Sequence, residues 1–197
     1  MAYGPTSKEG RDYYQRAEKL ARAKPEQGRE LFIATWGVWF FLIQTMQFKA
    51  GIARAAELLK IAQDVGDPDL VLEAHHASLP GLHAMGQYPA LKNAAQEATQ
   101  IYDRKRHGGH ANMFGGHDSG VCARSYNAMS LWACGLFDQA SKEAHASIAD
   151  ARTLGHQYSL AHGLLQSGIT FLLLRDEVAC AAVAGELLPL TEKNKFP

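Results

Sequence analysis

Gly135-Leu136-Phe137-Asp138-Gln139-Ala140 is the stretch on which the fold turns. A glycine ends one apolar-periodic segment, an aromatic follows two positions on, and a small residue follows that. Gly86-Gln87-Tyr88 repeats the glycine and the aromatic, with Leu91 at the small-residue position; Met46-Gln47-Phe48 repeats the aromatic, with Gly51 at that position; and Leu174-Arg175-Asp176 is a degenerate fourth form. The aromatic positions 48, 88 and 137 are 40 and 49 residues apart. A punctuation mark recurring at that distance implies a supersecondary unit that cannot bury its apolar face alone and stacks on its neighbours. Small residues allow two helices to cross closely, and larger ones fill the space between units.

Working outward, each segment between these marks reads as helix. Ile52, Ala55, Leu59 and Ala62 follow helical spacing, as do Ala140, Ala144, Ile148 and Ala151. No period-2 stretch reads as a strand. Thr6-Ser7-Lys8-Glu9 forms a capping box for a first helix reaching about Ala23, and Pro25 suits the first turn of a second. Asp67 and Pro68 close one helix and open the next; Asp138 reads as the cap of another. The expected fold is all-α: an α-solenoid of antiparallel helix pairs, about nine helices, which the tetratricopeptide-like resemblance described below implies to be a right-handed superhelix. It is read as a single domain over 1–197. An N-terminal helix (1–24) precedes pairs at 25–66, 67–102, 118–154 and 157–193, and residues 103–117 form an inserted Gly/His-rich loop.

Composition excludes several classes. Of 197 residues, 47% are hydrophobic and 20% charged, and 20 Lys+Arg balance 20 Asp+Glu. A neutral chain lacks the cation surplus that phosphate binding needs, so no direct nucleic-acid partner is expected. The most apolar run, Leu31 to Met46, is shorter than the roughly 20 residues of a membrane span. Its Trp36, Trp39, Phe40 and Phe41 read as a helix buried in the core or against a second copy, which makes 31–46 a candidate homodimer face. Cysteines stand at 122, 134 and 180, without zinc-type pairing, which fits a reducing cytoplasm.

Candidate chemistry is sparse. His107, His110, His117 and Asp118 fall within twelve positions and could in principle hold zinc, but their spacing matches no standard ligand motif. A structural loop, with Asp118 capping the next helix, accounts for them better. His117-Asp118-Ser119 has the residue types of a hydrolytic triad, yet adjacent turn residues rarely converge and GxSxG is absent. Arg104-Lys105-Arg106 suits a helix terminus, and Cys122 a packing position. We expect no catalytic residue, no metal and no cofactor. Phasing on the turn aromatics places Trp36, Phe40, His76, His83, Met129, Trp132 and Phe171 along the first helices of the pairs, as a groove for an apolar peptide or helix. The expected partner is a protein or peptide; the alternative is a small-molecule or metal sensor closed by the loop 107–118.

The glycine–aromatic–alanine punctuation resembles tetratricopeptide repeats. Tyr102-Asp103, His107, Gly116-His117-Asp118-Ser119-Gly120-Val121-Cys122, Leu131-Trp132, Gly135 and Asp138-Gln139-Ala140 go further. Over Leu70 to Pro197 they resemble the helical-repeat region of large bacterial signalling ATPases, which join a cyclase-like or DNA-binding effector, a P-loop module and a repeat array. Ser119 stands where that pattern often has proline. The resemblance implies a regulatory or interaction arm without chemistry of its own. GxxxxGK[ST] is absent, so the chain is expected to be a fragment or a stand-alone relative of such a protein.

Overall fold

The computed structural model describes residues 6–24 and 28–196, and among these every regular element is helical. The elements are α1 (Lys8–Arg22), α2 (Arg29–Gln44), α3 (Phe48–Val65), α4 (Pro68–Ala84), α5 (Tyr88–Ile101), α6 (Arg104–His107), a 3₁₀ turn (His110–Asn112), α7 (Ser119–Ala133), α8 (Phe137–Leu154), α9 (Gln157–Leu174) and α10 (Glu177–Asn194). Chain contacts divide them into two compact units, Met1–Gln87 and Tyr88–Pro197.

Backbone chemistry explains the boundaries. Ser7, not Thr6, caps α1, accepting from the Gly10 amide at 2.9 Å. Asp67 accepts from Asp69 N at 3.0 Å and Pro68 opens α4. Asp138 is no cap: it lies in the first turn of α8, where a carboxylate still favours the helix dipole. Pro25 lies outside the described residues. Each first helix of a pair ends on a left-handed residue: Met46 (φ 58°), Gly86 (67°), Gly135 (77°) and Arg175 (58°). The equivalent of Gly135 in the last pair is therefore Arg175, one position later than the Leu174-Arg175-Asp176 alignment places it. The spacing from Gly135 to Arg175 is then 40 residues, matching that from Met46 to Gly86. Gly66 and Gly155, both at φ 71°, end the second helices α3 and α8.

In the first unit, α2 packs against α1, α3 and α4. Glycines mark the closest crossings. A Cβ on Gly51 would come within 2.6 Å of Ile43, and one on Gly81 within 2.8 Å of Ile52. Phe32, Trp36 and Trp39 are buried, and the Trp36 ring lies 5.7 Å from that of His76, whose Nδ1 is 2.9 Å from the buried Glu73 carboxylate. On the outer side Glu18, only 7% exposed, takes hydrogen bonds from Arg22 (2.6 Å) and Arg54 (2.9 Å). Those two arginines also hold Glu57 of α3.

In the second unit, α7 is wedged among α5, α8 and α9. From Ser119 to Leu131 only Arg124 is not buried, and it pairs with Glu143 and Asp150 of α8. Ala128, Ala144, Ile148, Leu164, Phe171 and Val183 form the core. Gly163 sits where α7, α8 and α9 meet: its Cβ would lie 3.0 Å from Val121 and 3.2 Å from Ala151.

Candidate functional site

The loop expected to be irregular, 103–117, carries α6 and the 3₁₀ turn and is fastened inward. Asp103 caps α6 through the Arg106 amide (3.0 Å), a bond that holds its carboxyl below the usual range. The buried His107 accepts the Asp103 N–H at Nδ1 (2.8 Å). Its ring lies 5.8 Å from Tyr102 and 5.0 Å, edge-on, from His110, which meets Phe114.

Asp118 is the hub of this region. It caps α7 by accepting from Val121 N (2.9 Å), accepts the Tyr102 hydroxyl (2.8 Å), and donates its own N–H to Ser159 Oγ (2.8 Å). Gly120 is required beneath the Tyr102 ring, because a Cβ there would lie 2.7 Å from it. Burial and the neighbouring carboxylate push the Tyr102 phenol strongly up, so it stays a neutral donor.

No triad results. His117 turns to the Gly115 carbonyl (Nδ1–O 3.1 Å) and stacks on His162 at 3.8 Å, while Ser119 is buried. The four loop residues His107, His110, His117 and Asp118 do not bring their donor atoms together as one ligand set. The motif Tyr102-Asp103…His107…Asp118-x-Gly120 is thus a set of cap, ring and glycine that seats α7.

The residues assigned to a peptide groove separate by burial. Trp36, His76, Met129 and Phe171 are enclosed, whereas Phe40, His83 and Trp132 are half-buried. Phe171 is a correction. Phasing on Leu174 selects it, but the left-handed residue is Arg175, so the position equivalent to Trp132 is Leu172. Phe171 is 1% exposed and packs against His145; Leu172 is 68% exposed. The 31–46 helix spends Leu31, Phe32, Trp36 and Trp39 inside its own unit, leaving Phe40 to Ile43 half-covered.

A surface the sequence reading missed lies on α9. Tyr158, His162, Leu165, Ile169 and Leu172 recur at intervals of 4, 3, 4 and 3, and Leu165 (51%) and Leu172 stand well exposed. The signal was present: Gln157 to Leu174 contains no charged residue. Trp132 of α7 borders this stripe, its Nε1 donating to the Leu173 carbonyl (3.2 Å) at the end of α9.

No family model matches the chain. It is 24% identical over 194 residues to an uncharacterised protein of Rhizobium meliloti (strain 1021), a match covering 98% of this chain and 19% of that protein. Among solved structures it is similar to the apo form of RapI (TM-score 0.68, 13% identity), covering 89% of this chain and 62% of RapI. It is also similar to a crystal structure of nearly identical TPR-like repeats of a Podosopora anserina kinesin light chain (TM-score 0.58, 10% identity), covering 100% of both chains. The fold is that of a tetratricopeptide-like helical-repeat protein. Among the described residues no helix is long and apolar enough to cross a membrane.

Proposed function

We propose that this chain is a non-catalytic protein-interaction module, serving as the repeat arm of a bacterial signalling or transcription-regulating protein that works in the cytoplasm. The observation that carries the reading is the uncharged, exposed stripe on α9 beside Trp132. Apolar patches left open on a folded surface mark binding faces, and Leu165, Ile169 and Leu172, exposed at spacings of 4 and 3, present a seam of the kind an amphipathic helix recognises. The resemblance of residues 102–140 to the repeat region of signalling ATPases supports the context, as does the likeness to a protein of which this chain spans about a fifth.

The test is capture of helical peptides from a library by the purified protein and by a Leu165→Arg/Leu172→Arg variant. Both positions are exposed, so circular dichroism should be unchanged while capture weakens at least about 30-fold, the scale of a lost hot spot of about 2 kcal/mol. Equal capture by both proteins would remove α9 as the docking face.

A further inference from the structure

We infer that the second unit carries a site for a soft monovalent metal ion, copper(I), held between the Cys122 thiolate and the His117 imidazole. The site stands apart from the α9 stripe and does not depend on it.

The two donors are already together. Cys122 Sγ and a ring nitrogen of His117 lie within 4.8 Å of each other. An ion on the line between a thiolate and an imidazole spans two bonds, about 4.3 Å in all at the lengths zinc sets. One ion therefore bridges them with little movement of either side chain. The backbone between the donors is pinned. Asp118 caps α7 by accepting from Val121 N, and its carbonyl accepts the Cys122 N–H at 3.0 Å. Cys122 is thus fixed in the first turns of α7, at 2% exposure. On the other side Gly115 and Gly116, at φ 79° and 80°, bend the chain ahead of His117. The Gly115 carbonyl can only accept, so the His117 Nδ1 bonded to it carries the ring proton. Nε2 then holds the lone pair that ligates. Metal-binding histidines commonly share this arrangement, in which the other ring nitrogen donates to a carbonyl that sets tautomer and orientation. The His162 ring, stacked at 3.8 Å, fixes the plane of the His117 ring. His117 is half-buried, which gives an ion a way in.

The donor set chooses the ion. Thiolate and imidazole together favour copper(I) or zinc(II) over the oxygen-seeking calcium and magnesium. A structural zinc takes four protein ligands. Copper(I) is satisfied by two in a line, and one thiolate with one imidazole supplies them. All three cysteines are free, so no disulfide claims Cys122. Bound copper would staple the end of the 103–117 loop to α7, adding to the seat that Tyr102 and Asp118 build.

The probe is copper(I) itself, titrated anaerobically into the full-length purified chain against a chromophoric copper(I) chelator. One ion per chain should be retained. Cys122→Ser should weaken retention at least about 100-fold, and His117→Gln at least about tenfold, the scale of disturbing a metal's ligands or their supports. His117 is half-buried, so its variant keeps the test sound if Cys122→Ser unfolds. His110→Gln, the Cys134→Ser/Cys180→Ser pair and Leu165→Arg should each leave retention unchanged. X-ray absorption should show sulfur and imidazole nitrogen on the same copper, and loading should slow amide exchange around His117. Failure to retain copper against the chelator, indifference to both ligand variants, or loss through the Cys134/Cys180 pair would overturn the site. Copper without nitrogen, or unchanged exchange around His117, would remove His117 as ligand and the site with it. Tight zinc binding that Cys122→Ser abolishes, with no copper retained, would overturn the choice of ion.

Discussion

At Gly120 a single hydrogen in place of a methyl group lets the Tyr102 ring lie flat on the first turn of α7. The ring is held from both ends, by its hydroxyl on Asp118 and by His107 against its face, so it cannot swing away without breaking the Asp118 contact. Gly120→Ala should therefore cost about 1–3 kcal/mol, the range for overpacking a well-filled site, read as a lower midpoint in urea. Cap residues such as Asp67 and Asp118 were legible in the sequence, because a short acceptor before a helical stripe satisfies amides that have no other partner. The roles of Tyr102 and His107 were not legible. They depend on a chain reversal over fifteen residues that no local spacing encodes.

Between helices, the ties of α1 are mainly polar on one side. Glu18 is nearly buried and joins Arg22 of its own helix to Arg54 of α3, with Thr35 of α2 at 3.3 Å. Glu18→Gln leaves two guanidinium groups with weaker acceptors in a partly shielded place. Removing one member of such a set costs up to about 3–5 kcal/mol when fully buried and less here, where both arginines are part-exposed. The expected outcome is faster amide exchange across α1, with exchange in α8 and α9 unchanged. Helix existence and order were readable throughout from spacing and punctuation. The short α6 escaped because its four residues sit among glycines and carry no apolar stripe. The phase of the last pair slipped by one because Arg175 takes a left-handed conformation that glycine usually signals. That slip exchanged a core residue, Phe171, for its exposed neighbour, Leu172.

For the chain as a whole, stability should fall as the pH drops below neutrality. Burial holds the His83 imidazole below its ordinary value of 6.5, so the unfolded chain binds that proton first and stability falls as pH drops through this range. Burial raises the Glu57 carboxyl, but hydrogen bonds from Arg22 and Arg54 outweigh it and leave the pKa below the ordinary 4.5. The Arg152 hydrogen bond lowers Glu186 as well. Both carboxylates contribute stability above about 4.5 that is lost as they protonate. Urea midpoints should be flat near neutrality, decline below 6.5 and fall more steeply below 4.5; His83→Gln should shrink the upper limb and leave the lower intact. The all-helical repeat architecture was visible in the sequence because punctuation at a fixed distance survives divergence. The uncharged run of α9 was visible too, but its exposed stripe was not, because exposure depends on which neighbours a helix meets.

The residues at Met46, Gly86, Gly135 and Arg175 have a consequence for how such a chain lengthens. A gene segment copied from one of these joints to the next carries one returning and one outgoing rod. Two of the three intervals are equal, so duplicating either inserts one whole helix pair in frame. The interval from Gly86 to Gly135 would instead propagate its glycine-rich insert, which makes it the least favourable segment for growth by tandem duplication.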